Sequence, residues 1–66
     1  MNLDNIFMYH APKDNQTERY EEIRAKAKEL ANLILSNTPS SREQSLAITK
    51  LQESVMWANA SIACNE

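Results

Sequence analysis

The 66-residue chain contains no glycine, two prolines, one cysteine and only four aromatic residues. Without glycine, the glycine-rich loops that cradle phosphates in the common nucleotide-binding motifs are excluded. The only cysteine, Cys64, cannot form a disulfide within the chain, and a single thiol is typical of a reducing compartment. We interpret Cys64 as a small buried helix residue, and the alternative is a reactive thiol.

Long apolar runs and a basic excess are missing as well. No stretch approaches the roughly 18 apolar residues of a membrane span, and Asp4 stands where a leader would be basic, so the predicted location is cytoplasmic. Seven lysines and arginines against nine acidic residues give a net charge of −2. Proteins that coat nucleic acids are usually basic, so we do not expect long DNA or RNA as a partner. Because no apolar run is long enough to span a bilayer, we expect no membrane partner either.

Catalytic and metal-binding patterns are also lacking. His10 is the only histidine, and it has no second histidine or cysteine with which to share a zinc ion. No residue is marked as a nucleophile with its base, and a chain this small offers little room for a site that excludes water. We therefore expect no enzyme, no metal and no cofactor.

Two apolar series with alternating spacings of three and four residues predict two helices. The first helix is expected over residues 16–36, and its series consists of Tyr20, Ile23, Ala27, Leu30 and Ile34. The second is expected over residues 40–64, and its series consists of Ile48, Leu51, Val55, Ala58 and Ile62. The intervening turn is short, which predicts antiparallel neighbours.

The predicted fold is therefore all-α, a single domain over residues 1–66 in which a two-helix hairpin follows an N-terminal arm at 1–15. We expect this arm to fold back over the helices. Asn15 with Glu18 fits a capping box at the start of the first helix, and Ser40 with Glu43 fits one at the start of the second.

The end of the second helix predicts self-association. Small or apolar residues surround it on nearly every side, although a hairpin has only one internal seam to bury them, and so short a chain encloses little core by itself. We expect the hairpins to assemble into a compact homo-oligomeric bundle; the alternative is an exposed apolar patch. The candidate interface residues are Met56, Trp57, Ala60 and Ala63.

Aromatic and basic residues near the N-terminus admit two interpretations. Rings such as Phe7 and Tyr9 offer faces on which bases stack, and the planar guanidinium of Arg24 suits phosphate oxygens. Alternatively, the two rings hold the arm to the hairpin, while Arg24, Lys26 and Lys28 form a solvated face. Composition alone favours the second interpretation.

Four motifs resemble one family across nearly the whole chain. They are Phe-x-Tyr-His-Ala-Pro from Phe7, Tyr-x-x-Ile-Arg-x-x-Ala-x-x-Leu-Ala from Tyr20, Pro-x-Ser from Pro39, and Val-Met-Trp-Ala-Asn-Ala-x-Ile-Ala from Val55. This pattern resembles the small phage hairpin proteins grouped with the anti-CBASS cyclic-nucleotide sponges, whose hairpin is shared with an anti-Thoeris sponge.

The resemblance implies a homohexamer that sequesters cyclic di- and trinucleotide signals in pockets between protomers, without cleaving them, in the cytoplasm of an infected bacterium. It also implies that Tyr9 stacks on a base and Arg24 contacts phosphate, and we expect Phe7 and His10 to bind the cyclic dinucleotide as well. Candidates for a second, trinucleotide pocket are Lys26, Lys28 and Asn59. Two other hypotheses remain open: a protein-interaction module that docks a host or virion protein through the second helix, and a small phosphodiesterase-like enzyme.

Overall fold

The structure, a computed structural model, describes residues 15–66. Helix α1 spans Gln16–Asn37 and helix α2 spans Arg42–Asn65, and the two helices contact each other as a hairpin. The predicted all-α hairpin is thus confirmed. Apart from residue 15, the predicted arm lies outside the described residues, and the homo-oligomer stays a prediction.

Helix α1 begins where the sequence predicts, but without the predicted capping box. Asn15 occupies the N-cap position, yet its side chain makes no capping hydrogen bond. The Asn15 carbonyl accepts the first hydrogen bond of the helix, from the amide of Arg19 at 3.1 Å. Glu18 lies in the first turn, where a carboxylate interacts favourably with the positive end of the helix dipole.

The lack of glycine decides how α1 ends. A left-handed glycine commonly terminates a helix, whereas here Thr38 takes an extended conformation with φ −129° and ψ 148°. Polar side chains then donate hydrogen bonds to carbonyl groups near the end of the helix. Asn37 Nδ2 donates to the Leu33 carbonyl at 2.8 Å, and Thr38 Oγ1 donates to the Ile34 carbonyl at 2.7 Å. Ile34 is one of the last four residues of the helix, whose carbonyl groups have no partner within it, and the Thr38 hydroxyl satisfies this one.

Helix α2 is capped by Ser41, one residue after the predicted Ser40. The extended backbone of Ser41 places its Oγ 3.1 Å from the amide of Gln44, which donates to it. The Gln44 side chain reaches back across the turn and donates to the Thr38 carbonyl at 3.0 Å. Because Ser41 with Gln44 has the same spacing as Ser40 with Glu43, the capping pattern alone does not distinguish the two serines.

The helices meet along the two predicted apolar series, but this contact buries no apolar residue within residues 15–66. Every member of the two series is half-buried except Leu30, which is 45% exposed. In this part of the chain only Gln16 is buried, with 4% of its surface exposed. The other large apolar side chains left exposed are Leu33, Leu35, Leu46, Met56 and Trp57.

At the open end of the hairpin, Glu66 ties the two helices together. Arg19 forms an ion pair with the Glu66 carboxylate, and its Nη1 donates to Glu66 Oε2 at 3.0 Å. Gln16 Nε2 donates to the other oxygen at 3.3 Å. These two donors, Arg19 first, hold the pKa of Glu66 below its ordinary value.

Neither of the two helices is long and apolar enough to cross a membrane.

Candidate functional site

A shallow groove of about 320 Å³ lies between the helices. Tyr20 and Arg24 line it from α1, and Asn59, Ala60 and Ala63 line it from α2. Tyr20 and Arg24 are four residues apart, a spacing that places both side chains on one face of a helix. The groove therefore has an aromatic ring and a guanidinium on one wall, with an amide and two small side chains on the other.

Arg24 is the cation of this groove. Its side chain is exposed, and it takes part in none of the ion pairs within residues 15–66. Lys26, by contrast, pairs with Glu29 at 3.6 Å on the same helix. A guanidinium that pairs with no carboxylate of residues 15–66 keeps its planar fork of donors available to an anion there, and a phosphate group matches that fork in shape.

Asn59 contributes the amide. The residue is half-buried, and its Oδ1 is shielded from water with no hydrogen-bond partner in the described part of the chain. Ala60 and Ala63 leave space beside it, because neither side chain extends beyond Cβ. The lining of the groove therefore includes a cation that suits an anionic group and an amide whose oxygen has no donor within residues 15–66.

The same side of the hairpin continues into a second groove of about 360 Å³. Arg24 lies between the two grooves, and Lys28 and Gln52 join it in the second one. We call this side, marked by Tyr20, Arg24, Lys28, Gln52 and Asn59, the Arg24 face.

A third groove, also of about 360 Å³, lies on the other side of the hairpin. Lys26 and Glu22 line it, together with apolar residues such as Leu30. Lys26 is two residues from Arg24 and so lies about 200° around the helix from it. We call this side the Lys26 face.

The structure thus divides the basic residues and the amide that the sequence proposed for ligand binding. Arg24, Lys28 and Asn59 share one face, whereas Lys26 lies on the other. Their roles in binding stay predictions. The remaining candidates, Phe7, Tyr9 and His10, lie outside the described residues.

The candidate interface residues are divided as well. Met56 and Trp57 are 55% and 66% exposed. Ala60 and Ala63 are half-buried and line the 320 Å³ groove instead. Two of the four are thus placed as walls of the candidate site, and two as an exposed apolar surface of α2.

Sequence reasoning misses two features of this region. Periodicity assigns Tyr20 only to the helix seam, although its four-residue spacing to Arg24 is a signal that the two share a groove. The contact of Arg19 with Glu66 carries no local signal, because 47 residues separate the partners.

Comparison with known proteins gives one family. The family model described as Acb2/Tad1, hairpin domain, matches residues 1–63, which include α1, the turn and all of α2 except its last two residues. Neither the curated proteins nor the solved structures yield a significant match.

Proposed function

The chain belongs to the Acb2/Tad1 hairpin family of anti-CBASS and anti-Thoeris sponges, and from this membership we propose that it sequesters cyclic oligonucleotide signals without cleaving them. The family supports a phage anti-defence role in general. The finer proposal is that cyclic di- and trinucleotides bind between protomers of a homohexamer, in the cytoplasm of the infected bacterium.

The observation that carries the proposal is the exposed Arg24, which lies beside the Tyr20 ring and has no ion-pair partner within residues 15–66. A cyclic nucleotide carries a phosphate, which suits the guanidinium, and a flat base, which suits an aromatic ring. A net charge of −2 works against long nucleic acid. A small cyclic nucleotide has only a few phosphates, so one well-placed cation per protomer is enough to contact them, and no basic excess over the whole protein is needed.

The shallow groove supports binding between copies rather than within one. No apolar residue in 15–66 is buried, and Trp57 is 66% exposed, so the described hairpin leaves a large apolar surface for further copies. A second hairpin laid over the Arg24 face would enclose the groove. Water would then be excluded and the contact of Arg24 with phosphate strengthened.

Symmetry matches the ligand to such an assembly. A cyclic dinucleotide has two bases and two phosphates related by an exact or approximate two-fold axis, and an interface between identical copies presents each residue twice about the same kind of axis. One Tyr9 and one Arg24 per chain would therefore supply two stacking rings and two guanidinium forks for phosphate. A cyclic trinucleotide would suit a three-fold axis in the same way.

The interaction free energies available to this site are comparable with the free-energy cost of association. Stacking contributes about 1 to 3 kcal/mol per base, and a charge-assisted hydrogen bond contributes about 1.5 to 3 kcal/mol. Two interactions of each kind give a total of about 5 to 12 kcal/mol, from which the cost of association is still to be subtracted. Further interactions with the enclosing copies would offset part of that cost.

The test is a thermal-shift panel of cyclic di- and trinucleotides, followed by measurement of mass in solution and recovery of the added ligand. A ligand at 100 times its Kd should stabilise the native state by about 2.7 kcal/mol. We expect an oligomer, a rise in melting temperature with at least one cyclic nucleotide, and unchanged ligand after heat denaturation. Recovery of a linear product would show that the ligand is cleaved, and the protein would then be a phosphodiesterase-like enzyme and not a sponge.

The exposed Met56 and Trp57 favour a second candidate, a helical module that docks a host or virion protein through α2. Mass in solution separates the two proposals. A monomeric protein whose melting temperature no cyclic nucleotide raises would favour the docking module, because its exposed apolar surface would then be available to a different protein.

A further inference from the structure

The side-chain oxygen of Asn59 is shielded from water, and no donor in residues 15–66 reaches it. Such an oxygen raises the free energy of the unoccupied site, because it has lost water without gaining a hydrogen bond. The two groove side chains that carry donors, Tyr20 and Arg24, do not bond to it. Ala60 and Ala63 have no polar side-chain atoms, so none of the side chains that line the groove within residues 15–66 supplies the missing donor.

Geometry allows a ligand to supply that donor. The amide is attached through a soft terminal torsion, so rotation about that bond can turn its oxygen toward the groove that Asn59 lines. The groove volume of about 320 Å³ lies at the lower end of the range for ligand pockets, about 300 to 1,000 Å³. Arg24 lines the same groove, so a molecule bound there can meet the amide with one group and the guanidinium with another.

We propose that Asn59 reads the base of the bound nucleotide: its Oδ1 accepts an amino N–H from adenine while Arg24 holds the phosphate. This inference rests on the proposed function. Adenine is the base to which asparagine fits with two hydrogen bonds, since the amide oxygen accepts from the N6 amino group and the amide nitrogen donates to N7. Asn59 is then a specificity-determining residue, and adenine-containing cyclic nucleotides are the preferred class.

The experiment compares two ligands across a set of variants by calorimetry. The ligands are a cyclic dinucleotide of adenine and its analogue in which both bases are unsubstituted purine, which lacks the amino group. The key variant is Asn59→Leu, which keeps the size of the side chain and removes the amide. Gln52→Leu is the matched control, because Gln52 is also an α2 amide on the Arg24 face but lines the neighbouring groove.

We expect the parent to bind the adenine ligand about tenfold more tightly than the purine analogue, a typical value for one hydrogen bond to an otherwise unsatisfied group. Asn59→Leu should bind the two ligands equally, and Gln52→Leu should keep the tenfold preference. Circular dichroism and solution mass verify folding. If Asn59→Leu does not fold, Asn59→Ala replaces it, since alanine is the strongest helix former.

Two results would overturn the inference. One is a parent that binds both ligands with equal affinity; the other is an Asn59→Leu variant that keeps the adenine preference. If that variant keeps the preference but loses mass in solution, Asn59 bonds to a neighbouring copy instead of the ligand. These results differ from failure of the sponge proposal, in which the parent binds no cyclic nucleotide at all.

Discussion

Replacing Arg24 by alanine should weaken the binding of a cyclic dinucleotide and leave the hairpin intact. Arg24 is exposed and makes no ion pair within residues 15–66, so the substitution breaks no ion pair that supports the fold there. The matched control is Lys26→Ala, which removes the same charge from the opposite face. Each variant has a net charge of −2 − 1 = −3, so a difference between them reports position and not overall charge.

The expected size of the effect follows from the hydrogen bonds to phosphate that the substitution removes. One charge-assisted hydrogen bond contributes about 1.5 to 3 kcal/mol, so the removal of a single one predicts at least about a tenfold weaker Kd. A ligand on a two-fold axis would meet Arg24 twice. The effect could then reach about 3 to 6 kcal/mol, although two interactions with one ligand are not expected to be additive.

Calorimetry at two salt concentrations is the appropriate assay. Salt should weaken the parent more than Arg24→Ala, because only the parent retains this charge interaction. Lys26→Ala should bind the dinucleotide like the parent, and Arg24→Lys should fall between, since it keeps the charge but loses the planar fork. Equal Kd values for the parent and Arg24→Ala, at unchanged mass, would remove Arg24 from the site. Equal weakening by Arg24→Ala and Lys26→Ala would show an effect of net charge alone.

Three further predictions concern stability and assembly. Ser41→Ala should lower the free energy of unfolding by about 1 kcal/mol, because it removes the N-cap of α2. Ser40→Ala should change the free energy of unfolding by less than about 0.5 kcal/mol. Thermal melts in which Ser40→Ala is the more destabilised variant would refute the Ser41 cap. Trp57→Ser should shift the solution mass toward the monomer, because it removes the most exposed large apolar side chain of the described hairpin; unchanged sedimentation would place the interface elsewhere. Glu66 has a lowered pKa, so its contact with Arg19 stabilises the fold fully above the ordinary value of 4.5 and is lost as pH falls through the lowered pKa. Glu66→Gln should therefore melt below the parent at pH 7 and converge with it in acid, and a difference that persists in acid would contradict this account.

The agreement between sequence and structure is greatest where the information is local. Spacings of three and four residues predicted both helices and the seam along which they meet, because a repeat of 3.6 residues places those side chains on one face. Leu30 departs from this pattern at 45% exposure. It lines the open groove on the Lys26 face, and the α2 residues that share this groove cover it only in part.

Capping shows how a local rule can be correct and still select the wrong residue. Two overlapping serine patterns satisfy the same box, and the contact of Gln44 with Thr38 is seen only in the folded turn. The candidate site behaves in a similar way. Sequence patterns indicate Arg24 and Asn59 as candidates, but they do not predict that the two residues line the same groove. The two are 35 residues apart in the chain, and only the antiparallel packing of the helices brings them together.

The sequence by itself determined an all-α hairpin and, through its motifs, the family, because helical periodicity and short motifs depend on residues near one another in the chain. Only the tertiary structure decided that Arg24 and Asn59 line one groove, that Lys26 faces away, and that Glu66 closes the open end. The physical reason is rotational. How the two helices are turned about their axes decides which side chains meet, and that angle is set by packing between distant residues.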